Sequence, residues 1–234
     1  MEKGVFVTGC DTGVGKTVIA GAIAASMKAH GLDVGVMKPV ASGAKEIEGK
    51  LISEDAVYLK KIIESTDDDA LVNPILLKPP IAPTIAASKA GILIDIDKIL
   101  KAYEALTNKH DFVVVEGVGG LMVPIDDNLF VADLARKMDL ALVIVTVDYL
   151  GAINHTLLTI EYARSRNLRI KGIVINMLKN GDDLVREIEK YSSVPILGTI
   201  PFKENVSVED CIYGDIVEDF RREIDIPKIM RKET

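Results

Sequence analysis

Short apolar runs rich in β-branched residues alternate along this chain with longer segments whose apolar residues recur at helical spacing. The predicted strands are Gly4–Thr8, Asp33–Met37, Phe112–Val115, Ala141–Val147, Ile170–Ile175 and Ile196–Ile200. The predicted helices are Thr17–His30, Ser53–Glu64, Asp95–Asn108, Leu129–Met138, Ala152–Arg166 and Asp182–Tyr191. This repeated alternation predicts an α/β fold in three layers, with a mostly parallel β-sheet and helices on both faces.

Residues typical of helix ends support these boundaries. Ser53 and Asp95 are expected to cap their helices, with Ala56 and Lys98 at the third helical position. Gly31 is expected to end the first helix, because glycine readily adopts the backbone conformation that follows a helix.

One stretch and the C-terminal tail show no clear period. The segment Asn73–Ala90 contains four prolines, which predicts a loop or lid rather than a linker between domains. The tail after Pro201 is mixed in pattern. Since there is no internal repeat or low-complexity segment, residues 1–234 are predicted to form a single domain.

In parallel sheets of this kind, ligands bind beyond the carboxyl ends of the strands. The candidate ligand-binding residues are therefore those that follow each predicted strand. They are Gly9–Thr17, Lys38–Gly43, Glu116–Gly120, Asp148–Asn154, Asn176 and Pro201.

The run Gly9–Thr17 (G-C-D-T-G-V-G-K-T) resembles a nucleotide phosphate loop. The usual pattern is Gly, four residues, then Gly-Lys-Ser/Thr; here Cys10 stands at the first Gly position and Gly9 lies one residue earlier. Backbone amides at the following helix start would surround a phosphate, Lys16 would hold the β- and γ-phosphates, and Thr17 would offer its hydroxyl to Mg²⁺. A dinucleotide fingerprint fits poorly, because position 18 is not glycine.

Composition narrows the function classes. The 234 residues carry a net charge of −7, which argues against non-specific nucleic-acid binding through Lys and Arg. No apolar run is long enough to span a membrane, and no signal region follows Met1, so a cytoplasmic location is expected. Two cysteines and three scattered histidines give neither a disulfide framework nor a zinc motif.

Five blocks together resemble the dethiobiotin synthetase family, in order and over essentially the whole chain. They are Gly9–Thr17, Lys38–Gly43 (K-P-V-A-S-G), Glu116–Gly120 (E-G-V-G-G), Gly151–Thr159 (G-A-I-N-H-T-L-L-T) and Leu197–Pro201 (L-G-T-I-P). The resemblance implies a defined reaction. CO₂ adds to one amine of 7,8-diaminononanoate, ATP phosphorylates the carbamate to a mixed anhydride, and the second amine closes the ring of dethiobiotin.

The resemblance also implies roles for individual residues, with ATP as co-substrate and Mg²⁺ as cofactor. Lys16 and Lys38 are the expected catalytic residues, and both follow predicted strands; two cations suit a reaction that brings two anions together. The expected metal ligands are Thr17, Asp55 and Glu116. The expected ATP-binding residues are Gly13, Val14, Gly15, Lys16, Thr17, Val18, Asp55, Glu116, Gly117, Val118, Gly119, Asn176, Met177, Pro201, Phe202 and Lys203. The expected substrate-binding residues are Thr12, Lys38, Ser42, Gly119, Gly120, Gly151, Ala152, Ile153 and Asn154.

In the family, the start of the helix at Gly151–Asn154 holds the substrate's tail carboxylate from the partner subunit. The resemblance therefore implies a homodimer with the substrate site at the subunit interface. His155 is expected to be a packing or polar supporting residue rather than an acid–base catalyst. Family members often have an acidic residue at the position of Gly13 and Thr at that of Cys10, which leaves the preference for ATP over other nucleotides open.

Some of these residues have simpler structural interpretations. Asp55 could be an exposed acid in a helix first turn, where the helix dipole favours it. Lys38 could be a solvated lysine at a strand end, and Glu116 or Asn176 an ordinary strand-end or turn residue. The tertiary structure must decide between these and the functional roles.

Three other functions share parts of the pattern. A partitioning-type switch ATPase acting through dimerisation and protein partners carries a signature lysine in its loop, where this chain has Asp11. A regulatory GTPase reads guanine with Asn-Lys-x-Asp, but Asn108–Asp111 precedes a predicted strand instead of following one. An amidotransferase-type synthetase requires a glutaminase domain, for which the chain has no room.

Overall fold

The computed structural model describes residues 2–178 and 183–231. The strands of the central sheet are β1 (Gly4–Gly9), β2 (Val34–Met37), β7 (Phe112–Glu116), β8 (Ala141–Val147), β9 (Ile170–Leu178) and β10 (Ile196–Pro201). The remaining strands are β3 (Val40–Ser42), β4 (Lys45–Ile47), β5 (Lys50–Ile52) and β6 (Ile75–Leu77). The six central strands are all parallel, in the spatial order β10-β9-β8-β1-β7-β2.

Helices cover both faces of the sheet and complete the three layers. On one face lie α4 (Pro83–Ala90), α5 (Ile96–Lys109), α6 (Val131–Lys137), α7 (Ala152–Ser165) and α8 (Asp183–Ser192). On the other face lie α1 (Lys16–Ala29), α2 (Glu54–Ile62), α3 (Asp69–Val72), α9 (Ile216–Glu223) and α10 (Ile226–Met230).

Helices cover both faces of the sheet, so the sheet is buried on both sides. Successive residues of a strand point to opposite faces and therefore enter different cores. In β1, Val5 and Val7 belong to the core on the α1 face, whereas Phe6 belongs to the core on the α5 face. Strands covered in this way are apolar at nearly every position, which is why β1 and β7 appear in the sequence as continuous apolar runs.

The predicted α/β architecture is confirmed, and each of the twelve predicted elements is present with small shifts at its ends. The predicted caps are also confirmed. The Ser53 hydroxyl accepts from the Ala56 amide at 3.3 Å, and the Asp95 carboxylate accepts from the Lys98 amide at 2.9 Å. Gly31 follows α1 with a φ of +87°. Asp182, predicted to begin α8, lies outside the described residues.

The expectation of a loop or lid over Asn73–Ala90 was wrong. The segment contains β6, which pairs in parallel with β3, and α4, which begins at Pro83. Proline is well accommodated at the start of a helix, because its missing amide would have no helical partner there. β6 has only three residues, too few for its pattern to be recognised among the prolines.

Two further boundaries affect the binding edge. Glu116 is the last residue of β7 rather than the residue after it, and Asn176 lies within β9 rather than at its end. The mixed tail contains α9 and α10, which pack against the core beneath α1. Within residues 2–178 and 183–231, no helix has both the length and the apolar character needed to cross a bilayer.

Candidate active site

A cleft of about 730 Å³ opens beyond the carboxyl ends of β1, β2 and β7. It brings together most of the residues that the sequence assigned to the nucleotide, the metal and the substrate. Those lining it are Thr12, Gly13, Gly15, Lys16, Thr17, Val18, Lys38, Ser42, Asp55, Glu116, Val118, Gly119 and Met177. Lys16 and Lys38, which are 22 positions apart in the chain, thus face one space.

The phosphate loop links β1 to α1 and has the backbone geometry that its glycines allow. Gly13 and Gly15 have φ values of +77° and +83°, in the left-handed region that favours glycine. Gly15 is the N-cap of α1 and no side chain caps this helix start, so its first amides are directed at the cleft. The Lys16 ammonium donates to the Asp11 carbonyl at 3.0 Å.

Lys38 lies between two carboxylates at the centre of the cleft. Its ammonium is 2.7 Å from Asp55 Oδ2 and 2.6 Å from Glu116 Oε1. Lys38 and Glu116 are buried, and only about a third of the Asp55 side chain is exposed. The solvated-lysine interpretation of Lys38 is therefore wrong. Asp55 does lie in the first turn of α2, as its simpler interpretation expected, but it is also paired with Lys38 and only partly exposed.

The close contacts displace the pKa values of these groups. Burial opposes the charge on Lys38, but the carboxylates of Glu116 and Asp55 outweigh it and raise the pKa of Lys38. Burial would also raise the pKa of Asp55, but the Lys38 ammonium and the Thr17 hydroxyl lower it. Burial raises the pKa of Glu116, and burial lowers the pKa of Lys16. Lys38 and Asp55 are thus held in their charged forms at neutral pH.

Thr17, Asp55 and Glu116 form an oxygen-rich corner beside Lys38. The Thr17 hydroxyl lies 2.8 Å from Glu116 Oε1 and 3.1 Å from Asp55 Oδ1. The other carboxylate oxygen of Glu116 is buried and has no hydrogen-bond partner. Mg²⁺ prefers hard oxygen ligands and retains several waters, so one hydroxyl and two carboxylates fit it. In the described part of the chain, no cluster of three or more His, Cys, Asp or Glu side chains suits a metal ion.

Neighbouring residues fix the backbone of Lys38 and extend the cleft. The Lys38 amide donates to the Val72 carbonyl at 2.7 Å, and the Asn73 side-chain amide donates to the Lys38 carbonyl at 2.5 Å. Ser42, at the end of β3, directs into this region a buried hydroxyl that has no hydrogen-bond partner. Asn73 was not singled out from the sequence, because only the fold places it under Lys38.

A second cavity, of about 190 Å³, adjoins the cleft through Val18, Met177 and Val206, which line both. Its walls include four other residues that the sequence assigned to the nucleotide: Asn176, Pro201, Phe202 and Lys203. The Asn176 side-chain amide donates to the Val14 carbonyl at 3.0 Å, so β9 is held against the phosphate loop at this position.

The cleft also has apolar walls that sequence reasoning missed. They are formed by Pro80–Pro83, Val123, Val206 and Val208. The proline cluster was visible in the sequence, but its position over the cleft depends on the pairing of β6 with β3.

Several predicted residues do not line the cleft. Val14 is buried, Gly117 packs under Phe6, and Gly120 lies against the backbone of Gly9. Gly151–Asn154, all within the described residues, line neither the cleft nor the adjoining cavity of their own chain. Gly151 is the N-cap of α7, and this helix start has no side-chain cap.

Polar side chains connect the start of α7 to the phosphate loop. The Cys10 thiol lies 3.1 Å from Thr146 Oγ1, which also accepts from Thr156 Oγ1 at 2.9 Å. His155 Nδ1 contacts the Tyr149 hydroxyl and lies 3.5 Å from Asp11 Oδ2. His155 therefore lies beside the loop and outside the lining of the cleft, and its supporting role stays a prediction.

Comparison with known proteins gives consistent results. A family model described as an AAA domain matches residues 3–210. Curated relatives named ATP-dependent dethiobiotin synthetase include one from Bacillus licheniformis, 40% identical, with 88% of each chain covered. Another, from Thermodesulfovibrio yellowstonii, is 38% identical over 86% of this chain and 90% of the relative. A third, from Methanocaldococcus jannaschii, is 36% identical over 88% of this chain and 97% of the relative.

Solved structures with the same fold are more distant in sequence. The septum site-determining protein MinD complexed with Mg-ADP from Pyrococcus horikoshii superposes with a TM-score of 0.60, at 16% identity and 93% coverage of each chain. A ParA family ATPase from Chlorobium tepidum gives a TM-score of 0.56 at 19% identity, covering 99% of this chain and 95% of the other. At these identities the likeness concerns the fold alone.

Proposed function

We propose a role for each part of the cleft on the premise that this chain belongs to the ATP-dependent dethiobiotin synthetase family. The protein is a ligase of biotin biosynthesis that forms dethiobiotin at the expense of ATP, with Mg²⁺ as cofactor.

The phosphate loop and the adjoining cavity are proposed to hold ATP. The free amides at the start of α1, together with Lys16, bind the phosphates, because backbone amides and an ammonium present positive charge to them. The base is proposed to occupy the cavity at Asn176, Pro201, Phe202 and Lys203, which lies next to the loop. In this arrangement the γ-phosphate points toward Lys38.

Thr17, Asp55 and Glu116 are proposed to hold Mg²⁺, since their oxygens already converge. When bound, Mg²⁺ supplies positive charge to the phosphate oxygens of ATP. The protein's own contribution is to hold these three side chains together from three different elements. Thr17 begins α1, Asp55 lies in the first turn of α2, and Glu116 ends β7.

Lys38 and Lys16 are proposed to be the catalytic residues. A carbamate oxygen of the substrate attacks the γ-phosphorus of ATP, forming the mixed anhydride and releasing ADP. The second amine then attacks the carbamoyl carbon, the ring closes and phosphate leaves. Both reacting groups of the first step are anions, and the two ammonium groups reduce their repulsion and fix their approach.

The remainder of the cleft suits the other parts of the diamine. Ser42 and Thr12 line the same cleft as Lys38, and their hydroxyls are proposed to bind the substrate at the carbamate end. The apolar wall at Pro80–Pro83 is proposed to contact the methylene chain, because burying this surface against hydrocarbon removes both from water. Gly119 and Gly120 are proposed to let the backbone approach the substrate.

The observation that carries this assignment is the convergence of Lys38, Asp55, Glu116 and Thr17 beside the phosphate loop. We expect purified protein to release ADP from Mg·ATP only when bicarbonate and 7,8-diaminononanoate are both present. The measurement is a coupled ADP assay combined with mass detection of dethiobiotin. ADP release that does not depend on the diamine would contradict the proposal and favour a switch ATPase.

We further propose a homodimer in which the α7 start of one subunit completes the substrate site of the other. Gly151–Asn154 form a helix start without a side-chain cap and do not line their own cleft. The Ala152 amide donates to the Tyr149 carbonyl at 3.1 Å, so the amides of Ile153 and Asn154 are the ones proposed to bind the tail carboxylate in a neighbouring subunit. Next to them, Leu150 is fully exposed and Leu158 is 61% exposed, which gives this surface an apolar character that a second copy would cover.

Replacing Leu158 with glutamate is expected to convert the dimer to a monomer, since a carboxylate would be buried at the interface. Analytical ultracentrifugation measures the change, and the KM for the diamine should rise as the shared site is lost. The matched control is Leu93→Glu, another exposed leucine that lies between α4 and α5 and should leave the dimer intact. A wild-type protein that sediments as a monomer would exclude the arrangement.

Two broader assignments complete the proposal. The single-domain assignment for residues 1–234 is supported by one sheet whose strands run from Gly4 to Pro201 and by tail helices that pack on the same core. A cytoplasmic location is supported by Cys10 and Cys211, which are both free thiols and suit a reducing compartment.

A further inference from the structure

Lys38 makes its closest contacts with the proposed metal ligands. Its ammonium is 2.6 Å from Glu116 Oε1 and 2.7 Å from Asp55 Oδ2, and its side chain is only 4% exposed. The same Glu116 oxygen accepts the hydrogen bond from Thr17. One ammonium therefore compensates both carboxylates of the metal site from within the protein.

This compensation is needed because the two carboxylates contact the same Thr17 hydroxyl and one of them, Glu116, is removed from water. Glu116 is buried, and a buried carboxylate without a counter-ion is strongly unfavourable. Lys16 also lies in the cleft, but its ammonium donates to the Asp11 carbonyl rather than to either carboxylate. Of the two cleft lysines, Lys38 is thus the one that contacts both carboxylates directly, whereas Lys16 acts on them only through a longer-range attraction.

We propose that Lys38 and Mg²⁺ exchange at the carboxylates of Asp55 and Glu116, so that metal binding releases the Lys38 ammonium for the reacting anions. This inference rests on the proposed metal site and adds a second role for Lys38. A divalent ion that takes these oxygens as ligands repels an ammonium hydrogen-bonded to the same atoms. The Lys38 ammonium and Mg²⁺ therefore compete for the two carboxylates, and each weakens the interaction of the other with them.

One existing contact and one further group can receive the released ammonium. The Lys38 ammonium already donates to the Gly117 carbonyl at 3.4 Å, and this contact does not involve the metal ligands. The Ser42 hydroxyl lines the same cleft as Lys38 and is buried without a hydrogen-bond partner. Ser42 is one of the residues proposed to bind the substrate where the carbamate forms. Exchange would thus place Lys38 at the substrate only after the metal is present, which would order metal binding before phosphoryl transfer.

The test is metal binding by the full chain in the absence of nucleotide and substrate. Mn²⁺ serves as a spectroscopic probe for electron paramagnetic resonance titration, and Mg²⁺ is titrated by calorimetry. We expect Lys38→Met to bind Mn²⁺ at least about tenfold more tightly than wild type, within the usual range of coupling between two binding events. Lys16→Met is the matched control and should tighten binding much less, because Lys16 does not contact the carboxylates.

Thermal unfolding gives a second readout. Without metal, Lys38→Met should unfold at a lower temperature than wild type, because the buried Glu116 has lost its counter-ion. Saturating Mg²⁺ should recover most of this difference, and it should raise the unfolding temperature of Lys38→Met more than that of wild type or Lys16→Met. Equal metal affinities and equal Mg²⁺-induced shifts in the two variants would overturn the proposal.

If Lys38→Met does not fold, the wild-type protein still provides a test. Lysine-selective ¹⁵N NMR follows the side-chain nitrogen of Lys38, assigned from its absence in Lys38→Arg. Addition of Mg²⁺ should shift this resonance, and a resonance unchanged at saturating Mg²⁺ would overturn the exchange. None of these experiments uses the diamine. Loss of diamine-dependent ADP release would therefore contradict the proposed function without affecting this result.

Discussion

Lys38→Met is expected to lower kcat for dethiobiotin formation by about 10²–10³-fold, the usual cost of removing one charge-stabilising donor from a buried site. The physical reason is that the ammonium, whose side chain is buried, neutralises negative charge where the carbamate meets the γ-phosphate. Nucleotide binding should be retained, because the loop amides and Lys16 are unchanged. Steady-state turnover and fluorescent-nucleotide titration, both with saturating Mg²⁺, measure the two effects.

The matched control is Lys137→Met, which removes an exposed lysine at the end of α6, and it should keep wild-type turnover. Lys38→Arg separates charge from shape. It preserves the positive charge, but the planar guanidinium cannot occupy the same position between Asp55 and Glu116, so we expect only partial recovery. Full turnover in Lys38→Met would remove Lys38 from the mechanism.

Gly15→Ala is expected to weaken ATP binding by about 100-fold. Its φ of +83° disfavours any residue with a Cβ, at a cost of about 1–2 kcal/mol. A Cβ at this position would also lie 2.1 Å from the side-chain amide of Asn176. Asn176 would have to move, losing its hydrogen bond to the Val14 carbonyl at a cost of about 1–3 kcal/mol. Since 1.4 kcal/mol is about a tenfold change in affinity, the two effects together give this magnitude.

Gly13→Ala provides the matched control, because Gly13 has a nearly equal φ of +77° but no atom within 4 Å of a built Cβ. It carries the backbone cost alone, so ATP binding should weaken by only about tenfold. Isothermal titration with ATP compares the two variants, and thermal unfolding checks that both retain the fold. Equal losses would show that the contact with Asn176 does not matter.

Local patterns were sufficient to predict the six strands of the central sheet, six of the helices and the caps of two of them. Each depends on neighbours within a few residues, such as the Ser53 hydroxyl reaching the Ala56 amide. The edge of the sheet that binds ligands also followed from the pattern, because parallel strands place their carboxyl ends together. The short strands β3 and β6 were missed, since their pairing joins residues more than 30 positions apart.

The residues of the candidate site also fall into those that local patterns identified and those that only tertiary packing identified. The phosphate loop could be identified from its glycines and Lys16, and Lys38 and Glu116 from their positions at strand ends. Asp55 could not be separated from an ordinary helix first-turn acid, since Glu54 beside it has the same local setting. Only the packing of α2 on α1 turns Asp55, and not Glu54, toward Thr17 and Lys38.

By itself, the sequence determined the fold class, the nucleotide loop and the residue types available for catalysis, because these depend on periodicity and short-range spacing. The tertiary structure alone decided which charges touch. Whether Lys38 is a solvated surface group or the buried counter-ion of Asp55 and Glu116 depends on contacts between residues up to 78 positions apart. Such contacts exist only once the sheet has brought the ends of β2 and β7 together, so no local pattern in the chain records them.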